Sequence, residues 1–159
     1  MITILGIDPG THRLGWGVIS GSASKQSYIA SGCLESPAHT HADVYLPKIY
    51  QEIREIISTY QPNIVGTESL LFQKNVSTAI SVAEARGVIR LVAAQNNIPV
   101  VESAPNTIKL AVAGSGSAGK AEVTRMVGLL LGIEVSKKRD DELDALAVAI
   151  STIVTNKNL

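Results

Sequence analysis

The sequence predicts an α/β fold: a mixed five-stranded sheet whose first three strands are antiparallel, with helices on both faces. Three observations predict it. Short apolar runs rich in Ile and Val open the chain at close spacing, the pattern of an antiparallel meander. From residue 43 the apolar period changes from that of a strand to that of a helix. Two further short apolar runs then alternate with helical stretches, which is how strands are added to a sheet by helical crossovers.

The elements follow in order. Ile2 to Asp8 reads as a strand, ended by Pro9-Gly10; Leu14 to Ser20 and Tyr28 to Leu34 are the second and third. Asp43 to Tyr60 is helical, with Ile49, Ile53, Ile56, Ile57 and Tyr60 on one face. Pro47 fits that helix only near its start, and Pro62 stops it. Ile64 to Thr67 is a short buried strand with Glu68 at its end. A loop runs through Gln73-Lys74-Asn75, and Val76 to Asn96 is helical, with Gly87 as a point of close packing. Pro99 to Glu102 is the last strand, followed by helices at 104–113, 119–131 and 141–154. At 159 residues the chain is expected to form a single domain, 1–159.

Composition excludes little. The 14 basic and 14 acidic residues balance, a weak argument against a nucleic-acid partner. Setting aside four clustered carboxylates would leave 14 basic against 10 acidic residues. Aromatics make up only 4% of the chain, so base-stacking platforms are few. Cys33 is the sole cysteine, which forbids an internal disulfide and suits a reducing cytoplasm. No secretory signal is evident, and no apolar run reaches the ~18 residues of a membrane span.

The chemistry lies in the acids. Asp8 ends an apolar strand, although Asp-Pro-Gly is also ordinary turn chemistry. Glu68 likewise marks a strand end, where α/β sheets bind ligands. Asp140-Asp141-Glu142-Leu143-Asp144 opens an apolar helix. One acid there would favour the helix dipole; four in five positions exceed that need. Asp141 with Asp144, or Asp140 with Asp144, project from one helical face, and Glu142 points elsewhere. If Asp8, Glu68 and this helix start converge, their repulsion calls for cations. Oxygen ligands suit Mg²⁺, with Mn²⁺ as substitute, and not zinc. Two such ions about 4 Å apart serve phosphodiester cleavage.

Gly6-Ile-Asp-Pro-Gly-Thr11, Thr67-Glu68, Ala85-Arg-Gly87, Gly114-Ser-Gly-Ser-Ala118 with Lys120, and Asp141-Glu-Leu-Asp-Ala-Leu-Ala147 together resemble the RuvC Holliday-junction resolvases, in order over nearly the whole chain. The resemblance implies a ribonuclease-H-like fold, a homodimer, and Mg²⁺-dependent paired nicking of four-way junction DNA in recombination and repair. It implies Asp8, Glu68, Asp141 and Asp144 as catalytic metal ligands and Lys109 and Lys120 as DNA contacts, with a branch-migration helicase as partner. Many members carry an aromatic wedge three positions after the glutamate; here Leu71 stands there and Phe72 follows, and either apolar side chain can part a base step. Lys74 and Arg13 complete the DNA-contacting candidates.

Other readings are weaker. The Gly114–Lys120 stretch nearly matches a phosphate loop but lacks the hydroxyl that holds Mg²⁺; it reads as a turn into a helix, offering backbone N–H groups and Lys120 to a DNA phosphate. The opening strand also resembles that of the actin-like ATPases, whose second lobe has no room here. A YqgF-type nuclease acting on RNA, or a junction-binding protein without cleavage, are the remaining alternatives. His39 and His41 sit in a polar loop, and Trp16 is a core residue. The 76–96 helix carries Val76, Ala79, Ile80, Ala83, Gly87 and Ala94 on one face, suited equally to a partner helix or to its own sheet.

Overall fold

The computed structural model describes residues 1–69 and 76–156, with the side chains of Val76 and Ser77 left aside. Five strands, β1 (Ile2–Pro9), β2 (Arg13–Ser22), β3 (Lys25–Glu35), β4 (Ile64–Glu68) and β5 (Val100–Ser103), form one sheet in the order β3-β2-β1-β4-β5. The first three are antiparallel, and β4 and β5 are added parallel to β1, as expected. Helices α1 (Ala42–Tyr60) and α2 (Val76–Gln95) cover one face; α3 (Pro105–Ala113), α4 (Lys120–Leu131) and α5 (Asp140–Thr155) cover the other.

The alternation of side chains along a strand decides which residues meet which helices. In β1, Leu5 and Ile7 join the core under α1 and α2, whereas Ile4 joins the core under α5. Gly6 and Asp8 share the face of Ile4. In β4, Val65 faces α1 and α2 while Ile64, Gly66 and Glu68 share the opposite face. The pairs Gly6↔Gly17 and Gly6↔Gly66 therefore lay three glycines side by side across β2, β1 and β4.

α5 lies in that trough. A Cβ on Gly6 would stand 2.1 Å from the Ala145 carbonyl oxygen, and one on Gly15 would stand 2.0 Å from that of Asp141. The helix meets main chain, and only glycine allows the approach. Its side is correspondingly fine-grained: Ala145, Leu146, Ala149 and Ile150 are fully buried.

Three expectations change. α1 begins at Ala42, so Pro47 is its sixth residue and removes one main-chain hydrogen bond inside the helix. The start is capped instead by His41, whose Nδ1 accepts from the Asp43 N–H at 3.4 Å. Among the described residues Gly87 is not a packing point, because a Cβ there would meet none of them within 4 Å. The face of α2 that turns inward is Ala85, Ile89, Val92 and Ala93; Ile80, Ala83, Gly87 and Ala94 are exposed. Packing of that small-residue face on its own sheet is thereby excluded, because α2 reaches the sheet with a different face. Trp16 is part of the core side, with its indole N–H donating to Glu52 at 3.0 Å. No helix among the described residues is long and apolar enough to cross a membrane.

Gly6→Ala should test the trough. Overpacking a tight core costs about 1–3 kcal/mol, and main chain yields less than a side chain. Urea unfolding should show a loss at the upper end of that range; a loss under about 0.5 kcal/mol would mean that α5 can lift without cost.

Candidate active site

Asp8 and Glu68 emerge one rung beyond the glycine trough, at the carboxyl ends of adjacent parallel strands whose last paired residues are Ile7 and Thr67. Above them α5 presents Asp144. These three carboxylates line one cavity of about 230 Å³, together with Lys109 of α3, Lys120 at the start of α4, and an apolar wall that includes Ile108, Val123 and Val148. A larger hollow of about 810 Å³ at the opposite end of the sheet has no carboxylate in its lining.

The acids repel one another. Burial, then the charges of Asp144, Glu68 and Asp141, push the Asp8 carboxyl up to about 7. Burial and the Asp144 charge also raise Glu68, against the pull of Arg86 and Lys109. Asp144 is raised by burial although Lys120 opposes it. Lys120 approaches Asp144 at 3.2 Å and Asp140 at 3.4 Å. Burial lowers the pKa of that ammonium, but the Asp144 hydrogen bond and the two acids outweigh it and hold it above its ordinary value. The cavity thus concentrates negative charge and already draws in a cation.

Asp141 stands apart. Its carboxylate lies 3.8 Å from the Arg13 guanidinium and 3.9 Å from the Cys33 thiol, and it borders a neighbouring hollow with Thr11, Arg13 and Glu35. Asp140 is exposed. Glu142 is spent on structure, as its direction suggested. It accepts from the Ser31 hydroxyl at 2.6 Å and from the Arg139 main-chain N–H at 3.3 Å, fastening the start of α5 to β3. Arg13 is exposed and pairs with Glu35 at 3.1 Å. Leu71, Phe72 and Lys74 lie outside the described residues.

One charged residue near the site went unassigned in the sequence. Arg86 is buried on α2; its guanidinium donates to the main-chain oxygen of Glu68 and pairs with Glu102 at 2.8 Å. The available signal was a lone charge among the apolar positions Ala85, Ile89 and Ala93 of one helical face.

Among the described residues no group of three or more His, Cys, Asp or Glu side chains is drawn together closely enough to hold a metal ion as they stand. The donor set still fits a hard divalent cation: three carboxylates on one cavity, an acid that burial and its neighbours push to about 7, and an ammonium attracted to the same place.

The family model for "Crossover junction endodeoxyribonuclease RuvC" matches residues 4–152. Curated relatives described by the same words include one from Heliobacterium modesticaldum, 46% identical over 149 residues, covering 94% of this chain and 92% of the relative. Another, from Pseudothermotoga lettingae, is 41% identical over 146 residues, covering 92% and 90%. Among solved structures, Thermus thermophilus RuvC in complex with a Holliday junction substrate superposes with a TM-score of 0.89 at 29% identity, covering 95% of this chain and 92% of that one. The yeast mitochondrial resolvase Ydc2, at 14% identity and a TM-score of 0.68, shares the fold. With the family model spanning nearly the whole chain and its trough, strand ends and acid cavity in place, this chain belongs to the RuvC family of crossover junction endodeoxyribonucleases.

Proposed function

We propose that this chain, as one ribonuclease-H-like domain, resolves four-way DNA junctions by hydrolysing phosphodiesters at two opposed strands. The observation that carries the reading is the single cavity in which Asp8, Glu68 and Asp144, from three separate elements, meet Lys109 and Lys120. Acids alone would repel a DNA strand; lysines at the same cavity offer its phosphates a hold. Asp8, Glu68 and Asp144, with Asp141 at the margin, are the residues that would hold divalent cations. Two Mg²⁺ ions, or Mn²⁺ in their place, would supply an activated water and charge stabilisation of the leaving oxygen. The chain's own part is to aim the carboxylates from rigid strand ends and to keep one wall of the cavity apolar.

A homodimer is part of the proposal. A junction presents two equivalent strands, and the described residues of one chain bring Asp8, Glu68 and Asp144 together in one cavity, so paired cuts need two copies related by a two-fold axis. α2 supplies a suited surface: Ile80 is 56% and Leu91 52% exposed, with Ala83, Gly87 and Ala94 beside them on the side turned away from the sheet. A branch-migration helicase remains the partner suggested by the family.

Asp8→Asn and Asp144→Asn should each lower cleavage of a synthetic junction by orders of magnitude while leaving junction binding in place, because basic residues carry the phosphate contacts. Asp140→Asn should cut at close to the parental rate, and an inactive Asp140→Asn beside an active Asp141→Asn would shift the assignment by one residue.

Burial of Asp8 and the crowding of acids around it predict a pH effect on the metal-free protein. Asp8 titrates near 7 when folded and near 3.8 when unfolded. Between those values the unfolded chain has lost the proton and the folded chain keeps it. Its contribution to stability is thus fully present below about pH 4 and is lost as pH rises through about 7. The slope is at most about 1.4 kcal/mol per pH unit. Urea titrations at pH 5 and pH 8 should show Asp8→Asn gaining on the parent as pH rises, and Mg²⁺ should stabilise the parent most at pH 8. An equal gap at both pH values would contradict the raised Asp8 pKa.

Sedimentation at micromolar concentration should give a dimer, and Leu91→Glu should shift it to monomer. A dimer indifferent to that substitution would place the interface elsewhere.

A further inference from the structure

Arg86 is an expensive residue in its position. It is 8% exposed on a helix face otherwise made of Ala85, Ile89, Val92 and Ala93. Burying a guanidinium is costly unless it is paired and hydrogen-bonded, and an apolar side chain would pack α2 on the sheet without that cost. Its fork reaches two acceptors on two strands. One arm donates to the Glu68 carbonyl at the end of β4, and the other pairs with Glu102 of β5 at 2.8 Å. Arg90, one turn further along α2, pairs with the same Glu102 carboxylate.

The place that receives these bonds is particular. Pairing of β4 with β1 stops at Thr67, while on the β5 side it continues through Glu68 and the Ser69 N–H, which donates to the Ser103 carbonyl at 2.9 Å. Glu68 is therefore held by the sheet on one side only.

We propose that Arg86 is a positioning residue for the nuclease site: by bridging the Glu68 main chain to Glu102, it sets the angle at which β4 delivers the Glu68 carboxylate into the acid cavity, and ties that angle to α2. The inference rests on Glu68 being a metal ligand. It extends that reading to a residue that touches neither cation nor DNA. The fork is essential, because an ammonium is a compact point donor and lacks the rigid pair of arms that spans both acceptors.

Arg86→Lys in the full chain is the test, since it keeps the charge and most of the volume. Groups that orient metal ligands cost about 10–100-fold in metal affinity or activity when altered. Three measurements are compared with the parent: thermal unfolding, junction affinity without divalent cation, and Mn²⁺ affinity by calorimetry without DNA. Junction affinity should be unchanged and unfolding shifted by only a few degrees, while Mn²⁺ binding weakens about ten-fold. The Mg²⁺ concentration for half-maximal cleavage should rise in step. A residue with only a packing role would lower the unfolding temperature and leave the metal titration unmoved, and that result overturns the proposal. Should Arg86→Lys fail to fold, Glu102→Gln keeps the arm to Glu68 and loosens its anchor; it should weaken Mn²⁺ binding to a smaller degree, and parental binding there is equally fatal. A parent that binds no Mn²⁺ overturns the reading of the acid cavity itself, whereas parent and variant binding alike overturns only the role of Arg86.

Discussion

Everything at the site depends on how close α5 comes to the sheet. A helix packed over ordinary side chains stands off a sheet by their depth, and a carboxylate on its first turn would hang well above the strand ends. Here the trough of glycines removes the spacer, so that helix main chain rests on strand main chain. Asp144 then comes down to the cavity that Asp8 and Glu68 line. The stop is steric and abrupt, which makes it a better gauge of position than a hydrogen bond that stretches gradually.

Around that contact, charge is distributed by use. Of the acids that open α5, Glu142 is consumed in fastening the helix to β3, Asp144 enters the cavity, Asp141 leans toward Arg13, and Asp140 faces water. The first turn is therefore rich in acids for several reasons at once, of which the helix dipole is the least specific.

Most of the fold was legible because it is periodic. The two-residue alternation in β1 and β4 decided which side chains face α5, and the 3.6-residue period of α1 placed Ile49, Ile53, Ile56 and Ile57 in the core. The acids were legible as strand-end and helix-start residues. What stayed hidden depends on partners far along the chain. Nothing local to Arg86 announces Glu102, nothing local to Glu142 announces Ser31, and the inward face of α2 was ambiguous because alanine and glycine suit either side of a helix. Pro47 misled for a related reason: the His41 cap starts α1 early and sets the proline deep in the helix.

The order of the elements along the chain has a consequence for synthesis. Asp8 and Glu68 belong to strands made early, while Asp144 arrives on α5, the last described element. A growing chain that has not yet reached residue 140 holds two of the three cavity carboxylates and an uncovered apolar sheet face. Such a fragment has not yet assembled the acid cavity. Docking of α5 is at once the step that closes the core and the step that completes the acid cavity, so the cavity arrives only with a finished fold.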